Sequence, residues 1–216
     1  MSYQSILFDL DGTLLDTLYD LYASVNATLR QFGRPERTMD EVRRFTGNGA
    51  EHLIRCALPD GAAEHEVREA LAWYQSHYAA HCRDNTKPYA GIMPMLERLH
   101  EAGKLLAVVS NKPDRAVKLL SAEHFQGLMR VSIGEGPGKR RKPWPDTVDA
   151  ALEELGSKKA DAVYIGDSEV DAATAKNAGL PLIAVSWGFR SRDELRAAGA
   201  ERIADTPEEL LALLLA

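Results

Sequence analysis

Cysteine is nearly missing from this chain, with only Cys56 and Cys82 in 216 residues, and their spacing suits neither a zinc site nor a disulfide framework. Both fit helix positions as small packing residues. No apolar run approaches the length needed to span a bilayer, and the opening Met1-Ser2-Tyr3-Gln4-Ser5 lacks a basic region or an apolar stretch. No membrane association is therefore expected, and the expected location is the cytoplasm. Positive charge is also short: 26 Lys and Arg face 32 Asp and Glu, for a formal charge of -6 and a pI near 5.6. That balance argues against a nucleic-acid footprint and for a small-molecule partner. Glycine and proline, at 16 and 10, are too few for a disordered chain.

What is present is a βαβ rhythm. From about Tyr89 onward, continuous apolar runs at 105–109, 129–133, 162–165 and 182–185 alternate with helical patterns. Unbroken apolar strands suit a parallel sheet covered by helices on both faces. Helices are expected over 92–102, stopping at Gly103; from Pro113 through Leu120; over 146–155, ending at Gly156; and over 170–178, ending at Gly179. Thr206-Pro207-Glu208-Glu209 reads as a capping box opening a last helix. Between Asp16 and about Asn85 no convincing strand occurs. Leu18, Leu21, Tyr22, Val25, Leu29 and Phe32 form one amphipathic face, and further helices are expected near 39–45, 50–58 and 62–82. A helical block of this length is no simple crossover. The expected organisation is an α/β core of residues 1–15 and 86–216, with a helical cap of residues 16–85 inserted and hinges near Asp16-Thr17 and 84–88.

The chemistry gathers at strand ends. Asp9 and Asp11 follow the apolar run Ile6-Leu7-Phe8, so two carboxylates sit where ligands bind in an open parallel sheet. Asp-Gly is also a common turn signal, and the fragment alone leaves both readings open. Ser110 and Asn111 follow Val108-Val109 and offer a hydroxyl and an amide to phosphate oxygens, or a helix N-cap. Lys139, Arg140, Arg141 and Lys142 make a charge run whose default is a solvated face; Lys142 stands apart because Pro143 and Pro145 stiffen the chain beside it. Asp167 and Asp171 follow Val163-Tyr164-Ile165. Four carboxylates in one pocket are hard to explain without a hard divalent metal.

Asp9-x-Asp11-Gly12-Thr13, Ser110-Asn111, Lys142-Pro143-x-Pro145 and Gly166-Asp167-Ser168-x-x-Asp171 resemble, in order and spacing, the four motifs of the haloacid dehalogenase-like hydrolase superfamily. The resemblance spans essentially the whole chain. It implies a Rossmann-like core with a helical cap, and phosphoryl transfer through an aspartyl-phosphate with Mg²⁺ as cofactor. It implies Asp9 as nucleophile and metal ligand, and Asp11 as the acid and later base at the leaving group, with its backbone carbonyl on the metal. Ser110 and Lys142 would hold the phosphoryl group, Asp167 would bind the metal directly, and Asp171 directly or through water. Thr13 and Asn111 are candidates for substrate contact.

A closer resemblance, in Phe45-Thr46-Gly47-Asn48-Gly49 and in Val185-Ser186-Trp187-Gly188-Phe189, is to the phosphoglycolate phosphatase group. It makes 2-phosphoglycolate the expected small anionic substrate, with Thr46, Gly47 and Asn48 as cap contacts, unless that glycine-flanked segment is only an interhelical turn. Trp144 and Trp187 are expected to be packing residues. An inorganic pyrophosphatase and a broad sugar-phosphate or nucleotide phosphatase stay open as alternatives. A β-phosphoglucomutase-like phosphosugar mutase fits less well, because its Arg after a Gly-x-Ser turn is absent from Thr46 to Glu51. Phosphonate cleavage by a cap lysine is disfavoured, since residues 16–85 contain no Lys. A monomer or a homodimer is expected.

Overall fold

The computed structural model describes residues 3–216; Met1 and Ser2, which open the stretch read above as free of a targeting segment, lie outside the described residues. The chain divides into two compact units, one running to Leu15 and again from Pro88 to Ala216, the other from Asp16 to Lys87.

The larger unit is an α/β core, as its strand pattern requires. Its elements are β1 (Ser5–Phe8), α5 (Ile92–Glu101), β4 (Leu105–Pro113), α6 (Asp114–Phe125), β5 (Val131–Glu135), α7 (Asp146–Leu155), β6 (Ala162–Gly166), α8 (Glu169–Ala178), β7 (Leu182–Val185), α9 (Arg192–Ala197), β8 (Ile203–Ala204) and α10 (Pro207–Leu215). The strands make one parallel sheet in the order β5-β4-β1-β6-β7-β8. Because side chains alternate along a strand, Ile6 and Phe8 of β1 pack on one face with Leu96, Leu99, Leu120 and Leu210. Leu7 packs on the other with Val148, Leu152 and Ala175. Both faces are therefore dry, which is why β1 could be apolar without a break. The chain moves outward from β1 through β4 to β5, crosses back to β6 and then runs the other way. This reversal beside β1 leaves a crevice at the carboxyl ends of the central strands.

Among the details that depart from the sequence reading, β4 runs on to Pro113, so that α6 opens at Asp114 rather than at Pro113. β5 begins two residues later than expected and includes Gly134, where a Cβ would collide with the backbone of Lys112 and Asp114. β8 is a two-residue strand too short to read from pattern. At the last helix, Thr206 does accept from the Glu209 N–H, but the Glu209 carboxylate turns to the Asp205 N–H at 2.8 Å, so the capping box is only half closed.

The smaller unit holds α1 (Leu18–Gln31), α2 (Met39–Phe45), α3 (Gly49–Ala57) and α4 (Glu64–His81). Its α2 opens on a full capping box between Thr38 and Glu41. Asp20, buried in the first turn of α1, accepts from the backbone N–H groups of Asn85 and Thr86 at 3.0 and 2.8 Å, from the Asn85 amide at 3.0 Å and from the Thr86 hydroxyl at 2.8 Å. The first helix is thereby fastened to the last residues of the unit. Two short strands, β2 (Leu15–Asp16) and β3 (Lys87–Pro88), pair with each other where the chain passes from one unit to the other.

Candidate active site

Asp9 leaves the end of β1 with its N–H donating to the Ile165 carbonyl at 2.9 Å, so its start is fixed by the neighbouring strand β6. Its Oδ1 accepts from the Leu10 N–H at 2.7 Å and faces the Lys142 ammonium at 2.9 Å. Lys142 is buried although it ends a run of four cationic residues, and its Nζ also reaches Asp171 Oδ1 at 2.8 Å and the Tyr164 hydroxyl at 3.0 Å. What aims it inward is Asn111. The Asn111 Oδ1 accepts from the Lys142 N–H at 2.7 Å, and its Nδ2 donates to the Lys142 carbonyl at 3.0 Å. Both polar atoms of its amide thus hold the loop's backbone. Arg140, by contrast, is solvated as a charge run should be: it pairs with Asp146 at 2.8 Å and lies 4.1 Å over the Trp144 ring. Trp144 is 52% exposed, so it is not the packing residue expected from sequence.

Asp167, just past β6, is held on both oxygens. Thr13 donates its hydroxyl to Oδ1 at 2.8 Å and the Phe189 N–H donates to Oδ2 at 2.7 Å. Gly12 and Gly188 press on the same carboxylate: a Cβ at either position would collide with it, and Gly12 also sits at a φ of +85° that favours glycine. Trp187 is half-buried against the core and its indole donates to the Thr13 carbonyl at 2.9 Å. Asp171 caps its own helix, its Oδ2 accepting from the N–H of Asp167 and Ser168 and from the Ser168 hydroxyl at 3.2, 3.1 and 2.6 Å.

Asp9, Asp167 and Asp171 each offer an oxygen within 4.8 Å of the others, and all three are buried. Burial pushes the Asp9 carboxyl up to about 7; Lys142 opposes this, while Asp171 and Asp11 add to it. Burial, with Asp171 and Asp9, likewise holds Asp167 well above the ordinary carboxylate range. Burial would lower Lys142, but Asp171 and Asp9 outweigh it and keep the ammonium charged. One ammonium among three dry carboxylates leaves excess negative charge, and an all-oxygen donor set of that sign fits a hard divalent cation. Asp11 stands outside this triad. Its Oδ1 turns instead to the Lys112 ammonium at 2.7 Å.

Ser110 is buried at the end of the same strand, β4, with its Oγ accepting from the Lys112 N–H at 3.3 Å. In the helical unit, the Thr46 hydroxyl donates to the Val42 carbonyl at 2.8 Å, Gly47 sits at a φ of +123°, and Asn48 precedes α3 without capping it through its side chain. Lys112 and Tyr164 were missed from sequence. Each lies in a strand of otherwise continuous burial, and a lysine or a tyrosine at such a position is itself a signal that a polar partner is near.

Comparison with known proteins agrees with this geometry. The model of the haloacid dehalogenase-like hydrolase family matches residues 6–185. Phosphoglycolate phosphatase 1 of Pseudomonas aeruginosa is 35% identical over 95% of this chain and 78% of its own length. The phosphoglycolate phosphatase of Rhodobacter capsulatus is 36% identical over 86% of this chain and 85% of its own. Among solved structures, a protein of Lactobacillus delbrueckii subsp. bulgaricus, provisionally described as a phosphoglycolate phosphatase, superposes with a TM-score of 0.94 at 37% identity over 100% of this chain and 99% of that one. The family match begins inside β1 and closes on the last residue of β7, enclosing every strand end that carries a carboxylate of the site; this chain belongs to the haloacid dehalogenase-like hydrolases and is one of their phosphatases.

Proposed function

We propose that the protein is a Mg²⁺-dependent phosphatase of the cytoplasm that hydrolyses a small phosphate monoester, 2-phosphoglycolate above others, through an aspartyl-phosphate. The observation that carries the reading is the setting of Asp9: a buried carboxylate at the end of the central strand, 2.9 Å from a buried ammonium and two residues from a second acid. The relatives' names supply the substrate.

In the proposed reaction an Asp9 oxygen attacks phosphorus, and the bond from phosphorus to the alcohol oxygen breaks. Asp11 gives that oxygen its proton. Lys142 and Ser110 hold the equatorial oxygens, where phosphoryl transfer needs positive charge and hydrogen bonds. Asp11 then takes a proton from water as the water attacks phosphorus, which frees phosphate and restores Asp9. Asp9, Asp167, Asp171 and the Asp11 carbonyl would hold Mg²⁺, whose charge would offset the crowded carboxylates and the bound phosphate. Asn111 positions Lys142 by its backbone, and Thr13 positions Asp167. The helical unit, as a cap, would contribute Thr46, Gly47 and Asn48 to substrate choice; the positive φ of Gly47 supports this by allowing close backbone approach.

No helix among the described residues is long and apolar enough to cross a membrane, and both cysteines are free, which supports the cytoplasmic location. The partner proposed is the small substrate rather than nucleic acid, with the protein acting as a monomer or a homodimer. The test is Mg²⁺-dependent phosphate release from 2-phosphoglycolate, pyrophosphate, sugar phosphates and nucleotides, with Asp9→Asn as the blank. A strong preference for 2-phosphoglycolate supports the reading. Dominant pyrophosphate hydrolysis would keep the mechanism and replace the substrate, and no release at all would refute both.

A further inference from the structure

Two half-buried side chains of the helical unit take no part in the reaction laid out above. His52 and Cys56 lie one turn apart on α3, with the His52 Nε2 3.4 Å from the Cys56 Sγ and its Nδ1 at 4.0 Å. Residues four apart share one face of a helix, so α3 itself holds an imidazole nitrogen beside a sulfur. The contact is a sulfur hydrogen bond, and a proton lies where an ion bound by both atoms would sit. Spacing excluded a zinc site built on Cys56 with Cys82; a histidine with one of those cysteines is a different donor pair.

The separation suits a metal. Zinc binds a histidine nitrogen at about 2.0–2.1 Å and a cysteine sulfur at about 2.3 Å, so at a tetrahedral angle the two ligand atoms stand about 3.5 Å apart. The observed 3.4 Å meets that demand with the helix in place. Charge beside the pair also permits a dication. Arg55, which lies between them in sequence, is engaged by Glu64 at 2.6 Å and by Glu51 at 3.2 Å, so two carboxylates offset its charge. Burial pushes the Cys56 thiol up, and an arriving metal therefore displaces a proton from sulfur.

We propose that His52 and Cys56 form a second metal site, on the helical unit, which takes a borderline-soft divalent ion such as Zn²⁺ and leaves Mg²⁺ to the carboxylates of the core. Ligand softness keeps the two apart: thiolate and imidazole suit zinc, whereas carboxylate and carbonyl oxygens suit magnesium. Among the described residues no third His, Cys, Asp or Glu joins the pair. The remaining positions fall to water, and the ion exchanges freely, unlike one in the closed four-ligand shell of a structural zinc. The chelate spans one turn of the helix that opens at Gly49, directly after Thr46-Gly47-Asn48. A bound ion thus stiffens the element that follows the segment proposed for substrate choice. The support for this site is independent of the phosphatase reading.

The test adds Co²⁺ to the full chain in saturating Mg²⁺, with Zn²⁺ as competitor. The wild type should develop the near-ultraviolet absorption of a thiolate bound to cobalt, which oxygen ligands do not produce, and Zn²⁺ should remove it. Cys56→Ser should lose the band, and His52→Ala should weaken Co²⁺ binding by at least about tenfold, the lower end of what disturbing the surroundings of a metal costs. No band in the wild type, a band that survives Cys56→Ser, or an unchanged affinity in His52→Ala would each overturn the proposal. Should Cys56→Ser fail to fold, alkylation of the wild type decides it. At Zn²⁺ about ten times its dissociation constant, iodoacetamide should modify Cys56 about tenfold more slowly, because only the unoccupied fraction reacts, while Mg²⁺ alone should leave the rate as it was. Equal rates with and without Zn²⁺ refute the site.

Discussion

Replacing Asp20 by alanine should loosen the helical unit at its base. The carboxylate serves two backbone N–H groups, an amide and a hydroxyl. Asn85 is exposed and can give its donors to water, so its share is small; Thr86 is 6% exposed and cannot. An unpaired buried N–H costs about 1–3 kcal/mol and a lost hydroxyl bond about 1 kcal/mol more, so Asp20→Ala should cost about 3 kcal/mol. Asp20→Asn keeps one acceptor oxygen in place and should cost about half of that. Urea denaturation gives the totals, and native-state hydrogen exchange at the Thr86 N–H gives the location, since its protection should fall in step. A cost for Asp20→Ala within about 0.5 kcal/mol of zero, the range of ordinary surface changes, would refute the reasoning.

Asp9→Asn should lower turnover by on the order of 10⁴-fold or more, while the metal-free variant melts at or above the wild-type temperature because one of the crowded carboxylates has lost its charge; an early melt would contradict that account. Gly188→Ala should displace Asp167, destabilise by about 1–3 kcal/mol in urea denaturation as other overpacked sites do, and raise the Mg²⁺ concentration needed for half-maximal activity in a metal titration; an unchanged midpoint in both would contradict the contact. Tyr164→Phe should cost about 1–2 kcal/mol, since Lys142 and Asp171 both lose a buried hydroxyl partner; an unchanged denaturation midpoint would show the hydroxyl to be idle. Mg²⁺ at 100 times its dissociation constant should stabilise the wild type by about 2.7 kcal/mol, and a similar gain in Asp167→Ala would place the metal elsewhere.

The strands and helices of the core were legible because each buried element carries an unbroken apolar run or a 3.6-residue stripe, and glycine marks the ends of α7 and α8. β4 was read too short, because Ser110-Asn111-Lys112-Pro113 looks like a loop; it is a strand whose polar residues find partners inside the site. The carboxylates that gather in the candidate site were legible because each follows an apolar strand, where a charged side chain has few structural explanations. The partners that position them were not. Asn111 meets Lys142 across 31 residues through peptide atoms, and the Phe189 N–H reaches Asp167 across 22. Contacts made by backbone leave no residue type to recognise.

That Asn111 grips main-chain atoms has a consequence for engineering. A clasp that reads only an N–H and a carbonyl is indifferent to which side chain grows from the position it holds. The anchor of the loop and the charge it delivers therefore rest on different atoms: Asn111 holds the backbone of residue 142, while Asp9, Asp171 and Tyr164 surround its ammonium. The module to transplant into a redesigned enzyme is accordingly the pair of strand end and loop, and a lysine grafted without its asparagine would arrive with its backbone unheld.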